Sequence, residues 1–195
     1  SKKLVQRGHE VTVYCRKPFT RADDNYDRRI RRVILPTISN KHFDTLSHTF
    51  LSIFHVVFTD AQVLLICNVA SSPFAWMPRV VGKPTALNVD GLDRKRRKWN
   101  FIGQGFLHFC ELLSPLTPTR LVTDARAVQD YYRLRYRKES EMIAYGAEPP
   151  VRSNHLGQFG LISGRYILYV ARLEPENNPE LVIQAYRKVD TDWPL

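Results

Sequence analysis

Apolar and polar positions along the chain follow two alternating rhythms. Short apolar runs read as strands buried in a parallel sheet, whereas longer segments with apolar residues three or four apart read as helices. The strand-type runs cover residues 11–15, 33–38, 62–67, 84–89, 120–123, 140–144 and 166–171. Helical spacing covers residues 42–58, 73–81, about 100–113, about 124–137 and 178–189. Residues 1–7 resemble the last two turns of a helix, closed by Gly8. Pro36 marks residues 33–38 as an edge-type strand, because proline cannot donate to a ladder on one side. Asp124 reads first as a helix cap; Asn178 reads as the N-cap of the last helix, with Pro179 at its first position.

Sustained alternation of strand and helix predicts an α/β fold, a Rossmann-like parallel sheet with helices on both faces. Residues 1–150 make one such domain. The composition turns to Gly, Pro, Asn and Ser beyond Tyr145, so residues 151–165 read as an interdomain linker, and residues 166–195 open a second Rossmann-like domain. The helix at the start implies a preceding strand, which in a doubly wound fold carries the first glycine-rich turn. The first domain is therefore expected to lack its first strand, and the second most of its length.

In such sheets ligands bind at the carboxyl ends of the strands. That rule points to four loops, at residues 68–72, 90–98, 123–124 and 172–178, and so to Asn68, Asp90, Arg94, Asp124, Arg172, Asn177 and Asn178. Arg172 stands in a strand–turn–helix where unpaired N–H groups and the helix dipole favour a phosphate. The same strand–turn–helix is common in α/β proteins of other kinds. Asn68 and Ser71 also fit an ordinary loop. His48, Ser52 and His55 lie near the polar face of the helix at 42–58. Histidines seven apart are separated by roughly 10 Å along a helix, too far to share one metal ion unaided, so a solvated face is expected.

Composition narrows the class. Of 195 residues, 44% are hydrophobic and 25% charged, which is ordinary for a globular core. Cys15, Cys67 and Cys110 are far apart and in apolar settings, without disulfide or zinc spacing, and suit a reducing, cytoplasmic setting. No apolar run is long enough to span a bilayer, and the first residues have no signal-peptide core. The net charge of +10 is concentrated in Arg28, Arg29, Arg31 and Arg32, and again in Arg94 to Lys98. Nucleic-acid modules pair such clusters with stacking platforms, metal knuckles or a recognition helix; none is evident, and no nucleic-acid partner is expected.

The order and wording of the loops carry more. Leu4 to Arg16, Leu35-Pro36-Thr37 with Asp44 to His48, Leu87 to Leu92 with Lys98-Trp99, Asp124 to Tyr132, Tyr145 to Glu148, and Val170 to Asn178 together resemble family-4-type glycosyltransferases of the two-Rossmann-domain (GT-B) architecture. The resemblance is greatest to the rhamnosyltransferase-like subgroup of bacterial surface-polysaccharide biosynthesis. It implies a retaining, metal-independent enzyme without cofactor, taking a nucleotide diphosphate sugar as co-substrate and a lipid-linked or polysaccharide acceptor. Rhamnose is the sugar that the subgroup implies. Arg172 stands at the position resembling the family's phosphate-binding arginine, with Asn177, where many relatives have lysine, and Asn178 beside it. Asp90 takes the place of a histidine at the catalytic edge, facing a sugar or acceptor hydroxyl. Glu148 lies in the hinge segment. The resemblance also implies that the family's paired glutamates lie outside these residues, so that the chain by itself is inactive.

Two further readings stand beside these. The basic run at 93–98 is a solvated surface or, with the Phe- and Leu-rich helix after it, a peripheral contact with anionic lipid on the inner face of the cytoplasmic membrane. The functional alternative to the transferase is a non-catalytic Rossmann-like binding module, or a decayed remnant of such an enzyme.

Overall fold

The computed structural model describes residues 2–20, 26–40, 43–91, 99–147, 155–174 and 177–195. The chain forms two compact units, Ser1–Lys95 with Phe101–Ala144, and Arg96–Asn100 with Tyr145–Leu195.

The first unit begins with a short helix α1 (Lys2–Gln6), turned by Gly8 at φ 85° into β1 (Val11–Arg16). Then follow β2 (Ile30–Leu35), α2 (Asp44–Val57), β3 (Leu64–Cys67), a 3-10 turn at Val69–Phe74, α3 (Met77–Val80) and β4 (Thr85–Val89). The unit closes with α4 (Phe101–Leu113), β5 (Arg120–Thr123), α5 (Arg126–Tyr136) and β6 (Glu141–Met142). Every strand pair is parallel. Two sheets result, one of β1 and β2 and one in the order β3-β4-β5-β6. The fold is α/β, a parallel sheet flanked by helices as in Rossmann-like proteins.

The core sits on β4, which has a neighbour on each side. Leu87 and Val89 are fully buried, Leu121 and Val122 flank them on β5, and Leu107 and Cys110 of α4 are also buried, Cys110 O accepting from Ser72 Oγ of the 3-10 turn. Burial pushes the Cys110 thiol up to about 12, so it behaves as a small apolar group.

Several expected boundaries move for physical reasons. The second strand starts at Ile30 and stops before Pro36, because the ladder ends where an N–H is missing; Arg31 and Arg32 of the first basic cluster thus lie in a strand. The Arg32 guanidinium stacks over the Tyr26 ring at 4.8 Å. The run at 62–67, expected to be buried, is a strand only from Leu64, and Leu65 on one of its faces is 67% exposed. The helix at 73–81 is split into the 3-10 turn and α3.

Between α4 and α5 a buried carboxylate holds two tyrosines and a serine holds a third. The Tyr131 and Tyr136 hydroxyls donate to Glu111 Oε1 at 2.5 and 2.6 Å, and Ser114 Oγ lies 2.9 Å from the Tyr132 hydroxyl. Glu111 and Tyr132 are buried, so these bonds tie α5 to the end of α4 away from water.

The second unit holds a 3-10 turn at Leu156–Phe159 and a helix α6 (Pro179–Tyr186), shorter than the expected span to Val189. Pro179 opens it as expected; Asn178 occupies the N-cap but at φ 52°, without a side-chain cap bond. Residues 166–171, expected to be a strand buried on both faces, form no strand. Leu168 is 71% and Val170 81% exposed, and Ile167 N instead donates to Pro194 O at 2.8 Å. A parallel strand needs flanking strands and helices to bury it, and the described residues of this unit supply no neighbouring strand.

The Glu111 cluster sets a pH limit. Burial, and then the bond to Glu111, hold the Tyr136 proton to higher pH than its ordinary value of 10.0. Above pH 10 the unfolded chain releases this proton while the folded chain keeps it, so stability is expected to fall as pH rises past 10. Urea unfolding from pH 8 to 11 checks this, and Tyr136→Phe should flatten the fall while costing about 1–2 kcal/mol at neutral pH through the lost bond.

Candidate functional site

The register of the larger sheet brings three of the expected residues to one edge. Cys67 pairs with Asn88, and Asn68 N donates to Asn88 O at 3.0 Å, so Asn68 leaves β3 beside the end of β4. Val89 pairs with Thr123, so Asp90 and Asp124 follow their strands side by side. The chain turns away after Asp90 through Gly91 at φ 125°, a conformation that a side chain would strain. Asn68 is itself at φ 84° and ψ 132°, rare for any residue but glycine, and its Oδ1 accepts from Ala70 N at 2.8 Å. That bond holds the loop after β3.

The three side chains differ. Asp90 is exposed, and after burial its charge is the second cause that raises the Cys67 thiol pKa. Asp124 is half-buried, and its Oδ1 is shut off from solvent without a hydrogen-bond partner. It is not a helix cap: the N-cap of α5 is Ala125, with no side-chain cap bond. Ser71 is structural, its hydroxyl 3.2 Å from Thr49 Oγ1 and directed to Cys67 O at 3.4 Å. Arg94 and Glu148 lie outside the described residues.

A second polar cluster forms at the carboxyl ends of β1 and β2. Arg16 Nη1 donates to Asp44 Oδ2 at 2.6 Å and Arg16 Nη2 to Thr45 Oγ1 at 3.3 Å, while the Thr37 hydroxyl donates to Asp44 Oδ1 at 2.5 Å. One and two turns further along α2 stand His48 and Ser52. The solvated face expected for them is not what forms. His48 is half-buried, which lowers its pKa, and it hydrogen-bonds the backbone of Cys15; its Nε2 and Ser52 Oγ are both shielded and unpartnered. His55, in contrast, is exposed and meets the Tyr14 hydroxyl at 2.9 Å. The spacing Asp44, His48, Ser52, four residues apart each time, was the available signal for one inward polar stripe.

In the second unit Arg172, Asn177 and Asn178 share one turn before α6. The Asn177 amide donates to Arg172 O at 2.7 Å, the Tyr169 hydroxyl donates to Asn177 O at 2.5 Å, and Asn177 N donates to Glu174 O at 2.9 Å. Asn177 therefore closes the turn with its own side chain, and Arg172 stays exposed beside it.

Among the described residues no group of three or more His, Cys, Asp and Glu could hold a metal ion, and no helix is long and apolar enough to cross a membrane. No protein-family model matches the chain, and no curated protein matches it.

The two carboxylates predict opposite outcomes. Asp44→Ala removes an acceptor that holds three elements and should cost about 2–3 kcal/mol of unfolding free energy. Asp124→Ala removes a shielded oxygen that nothing satisfies and should raise stability by about 1 kcal/mol. Chemical denaturation of both variants against the parent chain distinguishes them.

Proposed function

We propose that the protein is a sugar-transferring enzyme whose first unit binds the hydroxyl groups of an acceptor or donor sugar at the edge formed by Asn68, Asp90 and Asp124. The observation that carries this reading is Asp124, a carboxylate at a strand end with one shielded oxygen that no protein group satisfies. A stabilising role is hard to assign to such an atom, and a sugar hydroxyl is a suitable donor to it. Asp90 stands beside it at the end of β4, next to the loop that Asn68 opens. Two carboxylates with an amide make a surface for a polyhydroxylated ligand.

Transfer from a nucleotide diphosphate sugar also requires charge stabilisation where the diphosphate leaves. The Arg172 turn before α6 supplies a guanidinium, and the helix contributes N–H groups and its dipole. In a retaining, front-face reaction the bond from the anomeric carbon to the diphosphate oxygen breaks while the acceptor oxygen bonds to that carbon on the same face. The acceptor proton passes to a donor phosphate oxygen. Asp90 then orients hydroxyls and needs no general-base role. Rhamnose as the transferred sugar, a lipid-linked or polysaccharide acceptor and a cytoplasmic site extend the same reading. Phe101, 91% exposed at the start of α4 and preceded in sequence by the basic run, suits contact with an anionic membrane surface that presents such an acceptor.

A non-catalytic binding module is the second reading, favoured by the exposed apolar residues of the second unit, Leu168 and Val170 among them. Turnover separates the two. The complete protein encoded by the reading frame that contains this sequence should turn over one of a panel of dTDP-, UDP- and GDP-sugars. Arg172→Ala should lower kcat/KM by about 100-fold, the scale of losing one charge-stabilising group. Binding of a nucleoside diphosphate without turnover, unchanged by Arg172→Ala, would favour the binding module instead.

A further inference from the structure

α2 meets the smaller sheet through residues that recur on one of its faces. Leu51, Phe54 and His55 of the helix, with Phe58 and Thr59 just after it, follow one another three or four residues apart and so align. Together with Leu35 and Pro36 at the end of β2 they line a cavity of about 330 Å³. That volume lies within the range of small-molecule sites, about 300–1,000 Å³. A difference in side-chain size explains it. Tyr14 on β1 stands between sheet and helix, its hydroxyl 2.9 Å from His55 Nδ1 and its ring edge-on to the imidazole at 5.6 Å. β2 sets the smaller Val33 opposite Tyr14, so the helix held off by the tyrosine leaves room above Leu35.

Phe54 and Phe58 belong also to a row of exposed rings. Phe50, Phe54 and Phe58 have successive centroids 6.2 and 5.2 Å apart, and Phe50 continues to Phe74 at 5.7 Å. Positions 50 to 58 span about 12 Å along the helix.

Polar chemistry is confined to one end. Among the described residues that line the cavity none is a carboxylate. Thr59 Oγ1 is engaged, donating to Val56 O at 2.9 Å and accepting from Ala61 N at 3.4 Å. His55 is exposed, and when the Tyr14 hydroxyl donates to its Nδ1 the ring proton sits on Nε2, which is then a donor. Arg31 is exposed on the same face of β2 as Val33 and Leu35, and its charge reaches Tyr14.

We propose that this cavity and the phenylalanine row bind one aliphatic chain with an anionic head, the chain against Leu35, Leu51, Phe54 and Phe58 and the head at His55 Nε2 and the Arg31 guanidinium. Charge complementarity selects the head, since a cation and an N–H donor stand there and no carboxylate lines the cavity. The row selects a chain over a compact ring: an extended chain advances roughly 1.2 Å per bond, so about ten carbons match its length. Carboxylate and phosphate heads share this chemistry. The site has no residue in common with the edge of Asn68, Asp90 and Asp124, and the inference does not rest on sugar transfer.

Isothermal titration calorimetry of the chain with hexanoate, octanoate and decanoate, each below its micelle concentration, tests this. Affinity should rise about fourfold per added CH2, the scale of burying one methylene. Decanol, with the same chain and no charge, should bind at least about tenfold more weakly than decanoate or decyl phosphate, and the tighter of the two anions identifies the head. Arg31→Gln, at an exposed position, should remove most of that difference, and Leu51→Trp should abolish binding by filling the cavity. Since tryptophan also strains the packing of α2, Phe58→Ser at an exposed ring gives an independent reading: about tenfold weaker decanoate binding with unchanged far-UV circular dichroism. Affinity independent of chain length, decanol equal to decanoate, or decanoate binding unchanged in both Leu51→Trp and Phe58→Ser overturns the proposal. Binding to phosphatidylglycerol vesicles without binding of any monomeric amphiphile overturns it too, and would make the row a membrane contact.

Discussion

The Asp44 carboxylate fixes where α2 lies, and much of the first unit follows from that. Arg16 at the end of β1 and Thr37 beyond β2 both donate to it, while Asp44 itself stands in the first turn of the helix, where a negative charge is favoured by the dipole. Three chain segments are therefore held at one point. With the start of α2 fixed there, Thr49 reaches Ser71 after β3, and Val56 reaches Lys83 before β4. The same helix joins two sheets that have no strand pairing between them. Because Asp44 and Arg16 are only partly exposed, their ion pair is less screened than a surface pair of the same length.

What the sequence disclosed was the part governed by local periodicity. The alternation of apolar runs and helical stripes placed all six strands of the first unit, and Gly8 and Pro179 marked the helix ends where they occur. Its failures have separate physical causes. Residues 166–171 have the composition of a buried strand, yet pairing is a property of neighbours, and the described part of the second unit holds none. Residues 62–67 failed on one face for a similar reason, since burial of Leu65 depends on what covers it. Asp124 has a cap-forming side chain one position too early, because the helix begins at Arg126 and Ala125 takes the N-cap. The His48 and Ser52 stripe was assigned to solvent because polar residues on a helix usually face water, although its four-residue spacing from Asp44 set all three on one face.

The candidate edge shows how a sheet can bring polar groups together without a binding motif. Successive strand ends deliver Asn68, Asp90 and Asp124 to one rim because the register of parallel strands is fixed by their apolar residues. Leu87 and Val89 are fully buried on β4, so the positions after them have little freedom. The reactive or binding groups need only follow the last buried residue. Legibility of this site thus came from the topology rule for α/β sheets, whereas the distinction between Asp90, exposed, and Asp124, half-buried with a shielded oxygen, needed the folded structure.

The Arg172 turn makes the opposite case. It forms although residues 166–171 before it are unpaired, because its bonds are local: the Asn177 amide and the Tyr169 hydroxyl span five and eight residues in sequence. An exposed arginine followed by an eight-residue helix starting with proline then needs no sheet to take its shape. What the sheet would add is direction. A phosphate needs the cation and the helix N–H groups aimed at one point, and a turn at the end of an unpaired segment has its internal geometry set but its approach free. In the first unit parallel pairing fixes both the shape and the aim of the site; in the second, local bonds fix the shape alone. On the proposed reading, charge stabilisation by Arg172 therefore depends on strand neighbours for residues 166–171, and not on any further change within the turn.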